Sequence, residues 1–143
     1  MPYLNVNPNQ AKELLDGGEG WIYVDVRTEA EFAAGHPEGA LNVPIAVGTP
    51  PRMQVNPDFL AVVKANFKKD AKLLLGCASG ARSAKACEVL VNAGYANLVN
   101  MSCGFHGSRS VLGRAEPGWS ALGLPTATTT RPEKTYDQLR RKV

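Results

Sequence analysis

Short apolar segments alternate with amphipathic segments along the chain, and glycine or proline stands at most of the boundaries between them. The apolar segments have the length of buried strands, and the amphipathic ones repeat their apolar residues with the period of a helix. Strands that alternate with helices indicate an α/β fold, in which helices cover both faces of a parallel sheet. The pattern predicts strands at 21–26, 39–44, 72–76 and 98–101 and helices at 8–15, 28–35, 57–67 and 83–93.

Two of the predicted helices carry recognisable start signals. Thr28 and Glu31 have the spacing of a capping box, in which each side chain binds the backbone amide of the other residue. Asn56 and Pro57 combine a capping residue with proline at the first helical position. Gly35 is expected to end the helix that begins near Thr28.

The C-terminal third of the chain has a different character. Residues 102–118 are rich in glycine, serine and arginine, and a loop of this length usually covers a functional site. Residues 126–131 read as a polar linker that leads into a short basic segment. We therefore expect one domain at 1–125, followed at 126–143 by a polar linker and a basic C-terminal helix or tail.

Composition and charge limit the partners. The 143 residues, 44% of them hydrophobic and 20% charged, suit one well-covered core. The net charge of +3 comes from 126–143, which carries five basic and two acidic side chains and leaves 11 of each sign elsewhere. A neutral body with few aromatic residues argues against nucleic acid as a partner. The chain has no apolar run near the roughly 20 residues of a membrane span and begins without a secretion-signal pattern. We expect no membrane partner and a cytoplasmic location, or the mature form of an organellar protein.

Cysteine and histidine are too few and too scattered for a metal site. Cys77, Cys87 and Cys103 are odd in number and lack Cys-x-x-Cys spacing, which argues against a disulfide framework and a zinc knuckle. His36 and His106 lie far apart in sequence. We expect a reducing compartment and no bound metal.

Cys77 is the strongest candidate for a reactive group. It directly follows a predicted central strand and precedes a predicted helix, and ligands of parallel sheets bind beyond the carboxyl ends of the strands. Amides of a curled loop and a helix N-terminus stabilise a thiolate and a neighbouring anion. Gly80 permits the tight curl, and Arg82 adds a positive charge that favours the thiolate and attracts anionic substrates. The alternative is that Cys77 is a small buried apolar residue.

At this point several motifs resemble the rhodanese-like sulfurtransferases, over about residues 4–125. They are Asp25-Val26-Arg27 with Glu31-Phe32, then Gly35-His36-Pro37-Glu38-Gly39-Ala40 with Asn42-Val43-Pro44, the loop Cys77-Ala78-Ser79-Gly80-Ala81-Arg82-Ser83, Gly94-Tyr95 with Cys103-Gly104, and Gly118-Trp119 with Gly123-Leu124-Pro125. The resemblance implies a five-stranded parallel sheet with helices on both faces. It also implies a two-step reaction in which Cys77 takes sulfane sulfur from a donor, holds it as a persulfide and gives it to an acceptor.

The resemblance further assigns the participants. The persulfide would lie among the residues of the loop, Ala78, Ser79, Gly80, Ala81, Arg82 and Ser83, without a metal or organic cofactor. Thiosulfate, mercaptopyruvate and a low-molecular-weight persulfide remain open as donors, because Ala78 and Ser79 supply no cation and Ser79-Gly80 is closer to loops associated with mercaptopyruvate. The acceptor is a thiol or a cyanide-like nucleophile, and a protein acceptor is possible.

Two other functions compete with sulfur transfer. Cysteine phosphatases, including arsenate reductases, share the cysteine, the curled loop and the arginine. Their loops place five residues between cysteine and arginine, whereas four intervene here, and Gly76 stands where a histidine would precede the cysteine. A non-catalytic rhodanese-like binding or regulatory module is the other alternative, although such modules usually lack the cysteine.

Asp25 and Arg27 are supporting candidates, because they end a strand near the edge of the sheet that carries Cys77. They either orient the loop and attract the donor, or form a structural pair between Arg27 and Glu31 backed by Asp25. His36 is interpreted as a hydrogen bonder that stabilises a turn.

The remaining candidates lie on the helix and the loop that follow Cys77. Cys87 falls on the apolar side of the helix, where packing is its expected role. Cys103 stands where the family commonly has glycine, so it is either a resolving thiol for the persulfide or an ordinary buried residue. The segment 106–114, with Arg109 and Arg114, is either a wall of the pocket or a solvated loop.

Overall fold

The computed structural model describes residues 3–49 and 51–143. A central sheet is formed by five strands, and the remaining strands form three small two-stranded pairs. The strands are β1 (Leu4–Val6), β2 (Ile22–Asp25), β3 (His36–Pro37), β4 (Leu41–Asn42), β5 (Ala46–Val47), β6 (Gln54–Val55), β7 (Lys72–Gly76), β8 (Asn97–Met101), β9 (Ser108–Arg109), β10 (Ala115–Glu116) and β11 (Thr126–Ala127). The α-helices are α1 (Pro8–Asp16), α2 (Glu29–Ala34), α3 (Phe59–Asn66), α4 (Ala81–Asn92) and α5 (Tyr136–Leu139), and short 3₁₀ helices cover Pro132–Lys134 and Arg140–Lys142.

The central sheet has the strand order β1-β8-β7-β2-β4, and all of its pairings are parallel. Successive side chains of a strand face opposite sides of a sheet. Leu73 and Leu75 therefore pack with α3, α4 and α5, whereas Leu74 packs with α1 and α2. The predicted class, an α/β fold with a five-stranded parallel sheet and helices on both faces, is confirmed.

Local capping fixes the starts of the first two helices. Thr28 and Glu31 form the predicted capping box of α2, and Asn7 with Gln10 forms a second one at α1. The prediction of Asn56 as the cap of α3 is wrong, because the cap position is Asp58 and α3 begins at Phe59. The Asn56 side chain instead donates hydrogen bonds to the Pro44 carbonyl and the Tyr136 hydroxyl, both at 2.9 Å.

The two C-terminal segments are ordered against the body. Residues 102–106 form turns, and β9 and β10 make a short antiparallel hairpin in the segment expected to be a loop. β11 pairs with β3, and Tyr136 and Leu139 of α5 are buried in the core formed by α3 and α4. The division of the chain at residue 125 stays a prediction.

Candidate active site

Cys77 lies immediately after β7, at the carboxyl edge of the sheet, and only 1% of it is exposed. Its sulfur accepts hydrogen bonds from the Gly80 amide at 3.1 Å and the Ser83 amide at 3.3 Å. The Ser83 hydroxyl lies 3.4 Å from the same sulfur, and its single proton is shared between this sulfur and the Gly80 carbonyl at 3.2 Å. An inert packing cysteine does not collect converging donors, and a thiolate is the form that benefits most from them. The loop and the first turn of α4 therefore form a site that suits a negatively charged sulfur.

Gly80 sets the shape of this loop. Its φ of +102° is a conformation that side-chain-bearing residues rarely adopt, and a Cβ there would lie 3.3 Å from the Ser102 Cα. Because Gly80 turns the chain, α4 starts at Ala81 with its first amides directed at the loop. The structure thus brings the predicted loop residues into one curl around the sulfur: Ala78, Ser79, Gly80, Ala81, Arg82 and Ser83.

The outer side of the curl is held by backbone amides of the segment 102–118, which the sequence predicts to be a loop that covers a site. The Phe105 amide donates to the Cys77 carbonyl at 2.8 Å, and the His106 amide donates to the Ala78 carbonyl at 2.9 Å. In a trans peptide the carbonyl and the next amide point in opposite directions. The amides of Ala78 and Ser79 therefore face away from Phe105 and His106, and they form no hydrogen bond with another described residue.

Arg82 is held by Glu31 of α2. The guanidinium nitrogens lie 2.7 and 2.9 Å from the two carboxylate oxygens, and the side chains are 26% and 32% exposed. The hydrogen bonds from Arg82 lower the pKa of Glu31 from 4.5 to about 2. The same pairing raises the pKa of Arg82. The pair between Arg27 and Glu31, one of the two alternatives for Arg27, does not form, since Glu31 binds Arg82 of the helix that follows Cys77.

Arg27 instead forms a buried pair with Asp25. The guanidinium binds both carboxylate oxygens at 2.8 to 3.2 Å, donates to the Gly35 carbonyl at 2.6 Å and stacks 4.5 Å from the Phe105 ring centroid. Burial is the largest single influence and lowers the pKa of Arg27, but the hydrogen bonds to Asp25 together with the nearby charges of Asp25, Tyr23 and Glu31 outweigh it, and the pKa is raised overall. Both side chains are 1% exposed, so a sulfur donor in solution cannot reach this pair. The pair instead supports the Phe105 segment, because the guanidinium packs on the Phe105 ring.

Gly76 has a steric role that the sequence did not reveal. A Cβ at this position would lie 2.5 Å from Cζ of Tyr23, whose hydroxyl is buried over the glycine. Burial raises the pKa of Tyr23 well above its ordinary value. The residue before Cys77 is therefore glycine because the neighbouring strand fills the space of its side chain.

His36 and Cys87 have the structural roles expected of them. His36 is 1% exposed, donates from Nδ1 to the Phe32 carbonyl at 2.7 Å and stacks on the Phe32 ring. Cys87 is fully buried in α4, and burial raises the pKa of its thiol to about 12. Neither residue is available for chemistry at the loop.

Cys103 lies beside the loop in an unusual conformation. It is the one non-glycine residue of the described chain with positive φ, at +67°, and its amide nitrogen lies 3.4 Å from the position a Cβ would take on Gly80. This geometry explains why glycine suits the position. The thiol is free and partly exposed. Its role as a resolving thiol stays a prediction.

Two properties of residues 3–49 and 51–143 concern metals and membranes. No three side chains of histidine, cysteine, aspartate or glutamate come together as a metal site would require. None of the helices in these ranges combines the length and apolar character needed to span a bilayer.

A parallel α/β sheet with a cysteine loop after its central strand defines the class, and sequence comparison identifies the family. A profile described as "Rhodanese-like domain" matches residues 7–110, and the chain belongs to this family. The first curated relatives are longer than this chain. The chain spans 51% of the mitochondrial protein HIGH ARSENIC CONTENT 1 of Arabidopsis thaliana. The two are 44% identical over 86 residues, which is 60% of this chain. It spans 65% of Rhodanese-like domain-containing protein 17 from the same plant, at 39% identity over 71% of the chain.

Relatives of similar length carry enzyme names. The chain is 36% identical to Thiosulfate sulfurtransferase 16, chloroplastic, of Arabidopsis thaliana, over 85% of its own length and 91% of the relative. It is 31% identical to Thiosulfate sulfurtransferase GlpE of Haemophilus influenzae, over 90% and 99% respectively. Among solved structures, Rv0390 from M. tuberculosis superposes with a TM-score of 0.73 at 31% identity, covering 87% of this chain and 97% of that one. The chain is thus a rhodanese-like domain with relatives named thiosulfate sulfurtransferase.

Proposed function

We propose that this protein is a sulfurtransferase in which Cys77 is the catalytic residue. In the first step the Cys77 thiolate attacks the outer sulfur of an anionic donor. The bond from that sulfur to the rest of the donor breaks, and the leaving group is sulfite from thiosulfate or a thiolate from a persulfide. From mercaptopyruvate the leaving group is the pyruvate enolate, which takes up the proton that the donor's thiol carried. In the second step the acceptor attacks the outer sulfur of the Cys77 persulfide, and the Cys77 thiolate leaves.

One observation supports this proposal above the others: two backbone amides and the Ser83 hydroxyl converge on the Cys77 sulfur. They stabilise the thiolate that attacks and the thiolate that leaves in the second step. The amides of Ala78 and Ser79 are available to the outer sulfur of the persulfide, which carries the negative charge between the steps. No step requires a metal or an organic cofactor.

The donor is a small anion that binds mainly through backbone amides. The charge of Arg82 is balanced by Glu31, and the charge of Arg27 is balanced by Asp25 and buried. Ala78 and Ser79 add no cation. The loop therefore lacks a strong preference for a dianion such as thiosulfate over a monoanion such as mercaptopyruvate or an alkyl persulfide.

The decisive experiment is intact-mass analysis after incubation with thiosulfate, mercaptopyruvate or glutathione persulfide. We expect a gain of one sulfur atom, lost again on addition of cyanide with release of thiocyanate. Cys77→Ser should abolish both signals, whereas the matched variant Cys87→Ser should keep them. If no donor loads either the native protein or Cys103→Ser, the chain is a non-catalytic rhodanese-like module and the proposal is wrong. If Cys77→Ser loads equally, Cys77 is not the sulfur carrier and the proposal is also wrong.

Arsenate reduction is the second candidate, because the 44% identical relative has a name that refers to arsenic content. The loop contains four residues between Cys77 and Arg82, one fewer than in phosphatase loops. The same samples are therefore assayed for arsenite formation from arsenate with dithiothreitol as the reductant. Arsenite formation that depends on Cys77, without sulfur loading, would favour this candidate.

We also propose that Cys103 acts on the loaded enzyme. Its thiolate would attack the inner sulfur of the Cys77 persulfide, form a Cys77–Cys103 disulfide and release hydrosulfide. Mass analysis of the loaded protein without acceptor tests this step. We expect loss of the added sulfur with loss of two hydrogens in the native chain and a lasting persulfide in Cys103→Ser. A persulfide that lasts equally in both proteins contradicts the role.

The acceptor follows from the same proposal, whereas the compartment does not. The acceptor is a thiol or a cyanide-like nucleophile, and a protein thiol is one form of it. Relatives are named mitochondrial and chloroplastic, whereas the cytoplasmic location stays a prediction from the sequence.

A further inference from the structure

A hairpin projects from the segment that holds the active-site loop. Its tip is a turn in which the Gly113 amide donates to the Ser110 carbonyl at 2.9 Å, so that Val111 and Leu112 occupy the two central positions. Val111 is 103% exposed and Leu112 is 82% exposed. These are the highest values for large apolar side chains in the described part of the chain.

The hairpin that displays this pair is ordered by its own hydrogen bonds. The Ser110 amide donates to the Arg114 carbonyl, the Arg114 amide donates to the Ser110 hydroxyl, and the Arg109 guanidinium donates to the Gly113 carbonyl. Central turn positions usually hold glycine, asparagine, aspartate or proline, because those residues suit the backbone and the solvent. Val111 and Leu112 bury little apolar surface at these positions within the monomer, whereas contact with a partner would remove both side chains from water.

Two cations flank the apolar tip. Arg109 ends β9 and Arg114 directly precedes β10, both exposed. No salt bridge between described residues includes either side chain. Glu116 is the single acidic residue between 106 and 116, so the hairpin carries a net positive charge. The surface is therefore complementary to one that is acidic and apolar.

The base of the hairpin is fixed at both ends, on one side to the active-site loop and on the other to the turn at Gly104. The His106 amide binds the Ala78 carbonyl before the hairpin, and the Trp119 amide binds the Gly104 carbonyl after it. Val111 lies five positions after His106, which limits the tip to roughly 17 Å from that anchor. A macromolecule bound at the tip is large enough to place a side chain at the loop at the same time.

We propose that the hairpin tip, formed by Arg109, Val111, Leu112 and Arg114, docks a protein sulfur acceptor whose thiol lies among acidic and apolar residues. This inference rests on the proposed function, since the docked thiolate attacks the outer sulfur of the Cys77 persulfide. The acceptor leaves as a protein persulfide, and Cys77 is returned as a thiolate. The tip supplies recognition and takes no part in the bond changes.

The probes are two peptides of equal length, each with one cysteine among leucines, one rich in glutamate and the other with lysine in place of every glutamate. Dithiothreitol is the small neutral acceptor. We expect the acidic peptide to accept sulfur with a kcat/KM at least tenfold above the basic one, with a preference that shrinks in high salt. Val111→Ser with Leu112→Ser, or Arg109→Gln with Arg114→Gln, should lower the acidic-peptide value at least fivefold and leave the dithiothreitol rate within twofold.

The matched control variants are Val55→Ser, an apolar residue 73% exposed elsewhere, and Arg131→Gln in the C-terminal segment. Both should behave as the native chain. Binding of cysteine-free versions of the peptides, followed by fluorescence anisotropy, gives a readout that needs no sulfur transfer. Failure of the proposed function, seen as no transfer even to dithiothreitol, is thereby separated from failure of docking.

Several outcomes would overturn the docking proposal. The proposal is wrong if the hairpin variants retain the native rate with the acidic peptide, or if the dithiothreitol rate falls equally, because the tip would then belong to the pocket itself. It is also wrong if the tip residues govern binding to phosphatidylserine vesicles or a monomer–dimer equilibrium in sedimentation, and the peptide preference is absent.

Discussion

Replacing Glu31 by glutamine should free the positive charge of Arg82 at the active-site loop. Glutamine keeps the side-chain length and can still serve the capping box with Thr28, so α2 should persist. What is lost is the carboxylate that lies 2.7 Å from the guanidinium. The variant therefore changes the charge at the loop with little change in shape.

The size of the effect follows from Coulomb's law. A full charge acting on a dianion at roughly 8 Å, in a half-exposed and salt-screened site, contributes about 1 kcal/mol, or about fivefold. We expect kcat/KM for thiosulfate to rise about fivefold in Glu31→Gln. For a monoanionic donor, the corresponding gain in free energy should be about half as large, because the donor carries half the charge. The gain should fade in high salt. Steady-state assays with both donors at two ionic strengths measure it.

Glu29→Gln is the matched control, because it removes the same charge from the same helix at an exposed residue without contact to Arg82. It should change the thiosulfate value less than twofold. A fall in activity with every donor in Glu31→Gln would refute the reasoning, since it would show that the paired geometry of Arg82 is needed more than its free charge.

Four further predictions concern stability and the loop. Because the pKa of Glu31 is lowered to about 2, its ion pair with Arg82 contributes stability that is fully present above about pH 4.5 and is lost as the pH falls towards 2. The pair is about one-third exposed, so this contribution is about 1 kcal/mol. Urea denaturation across this pH window should show the loss in the native chain and not in Glu31→Gln. Ser83→Ala removes the hydroxyl that lies 3.4 Å from the Cys77 sulfur and also contacts the Gly80 carbonyl, and it should slow persulfide formation about tenfold in stopped mass analysis; an unchanged rate would mean that the backbone amides suffice. Cys103→Gly should raise the free energy of unfolding by about 0.5–1 kcal/mol, because glycine tolerates the positive φ, and a lower value contradicts the assigned strain. Gly76→Ala should cost about 3 kcal/mol through the clash with Tyr23, and adding Tyr23→Leu should recover part of that loss; no recovery would place the strain elsewhere.

The fold could be predicted where its signals are local. The bounds of Lys72–Gly76 were readable because a charged turn and a glycine enclose an apolar run. The strand Leu4–Val6 was not, since it is three residues long and largely exposed at the edge of the sheet, so the fifth strand rested on the resemblance to the family. Asn56 has the sequence of a cap, but its side chain is used by a partner 80 residues away.

Local sequence likewise predicts some features of the candidate site and not others. The position of Cys77 and the curl at Gly80 follow from a strand, a glycine and a helix in succession. The partner of Arg82 lies 51 residues away, and the nearer Arg27 offered an equally plausible pairing for Glu31. The amides of 105 and 106 carry no side-chain signal at all, because any residue type can donate a backbone hydrogen bond.

The burial of α5 has a consequence for handling the protein with proteases. Thr128, Thr129 and Arg131 form an exposed stretch, where a protease of broad specificity should cleave, whereas trypsin should not cleave after Arg131 because Pro132 follows it. The fragment released would carry Tyr136 and Leu139, and its departure would uncover apolar surface and leave the Asn56 amide short of one acceptor. Cleavage in this stretch should therefore leave a fragment that aggregates through its exposed apolar surface and not a shorter, stable domain.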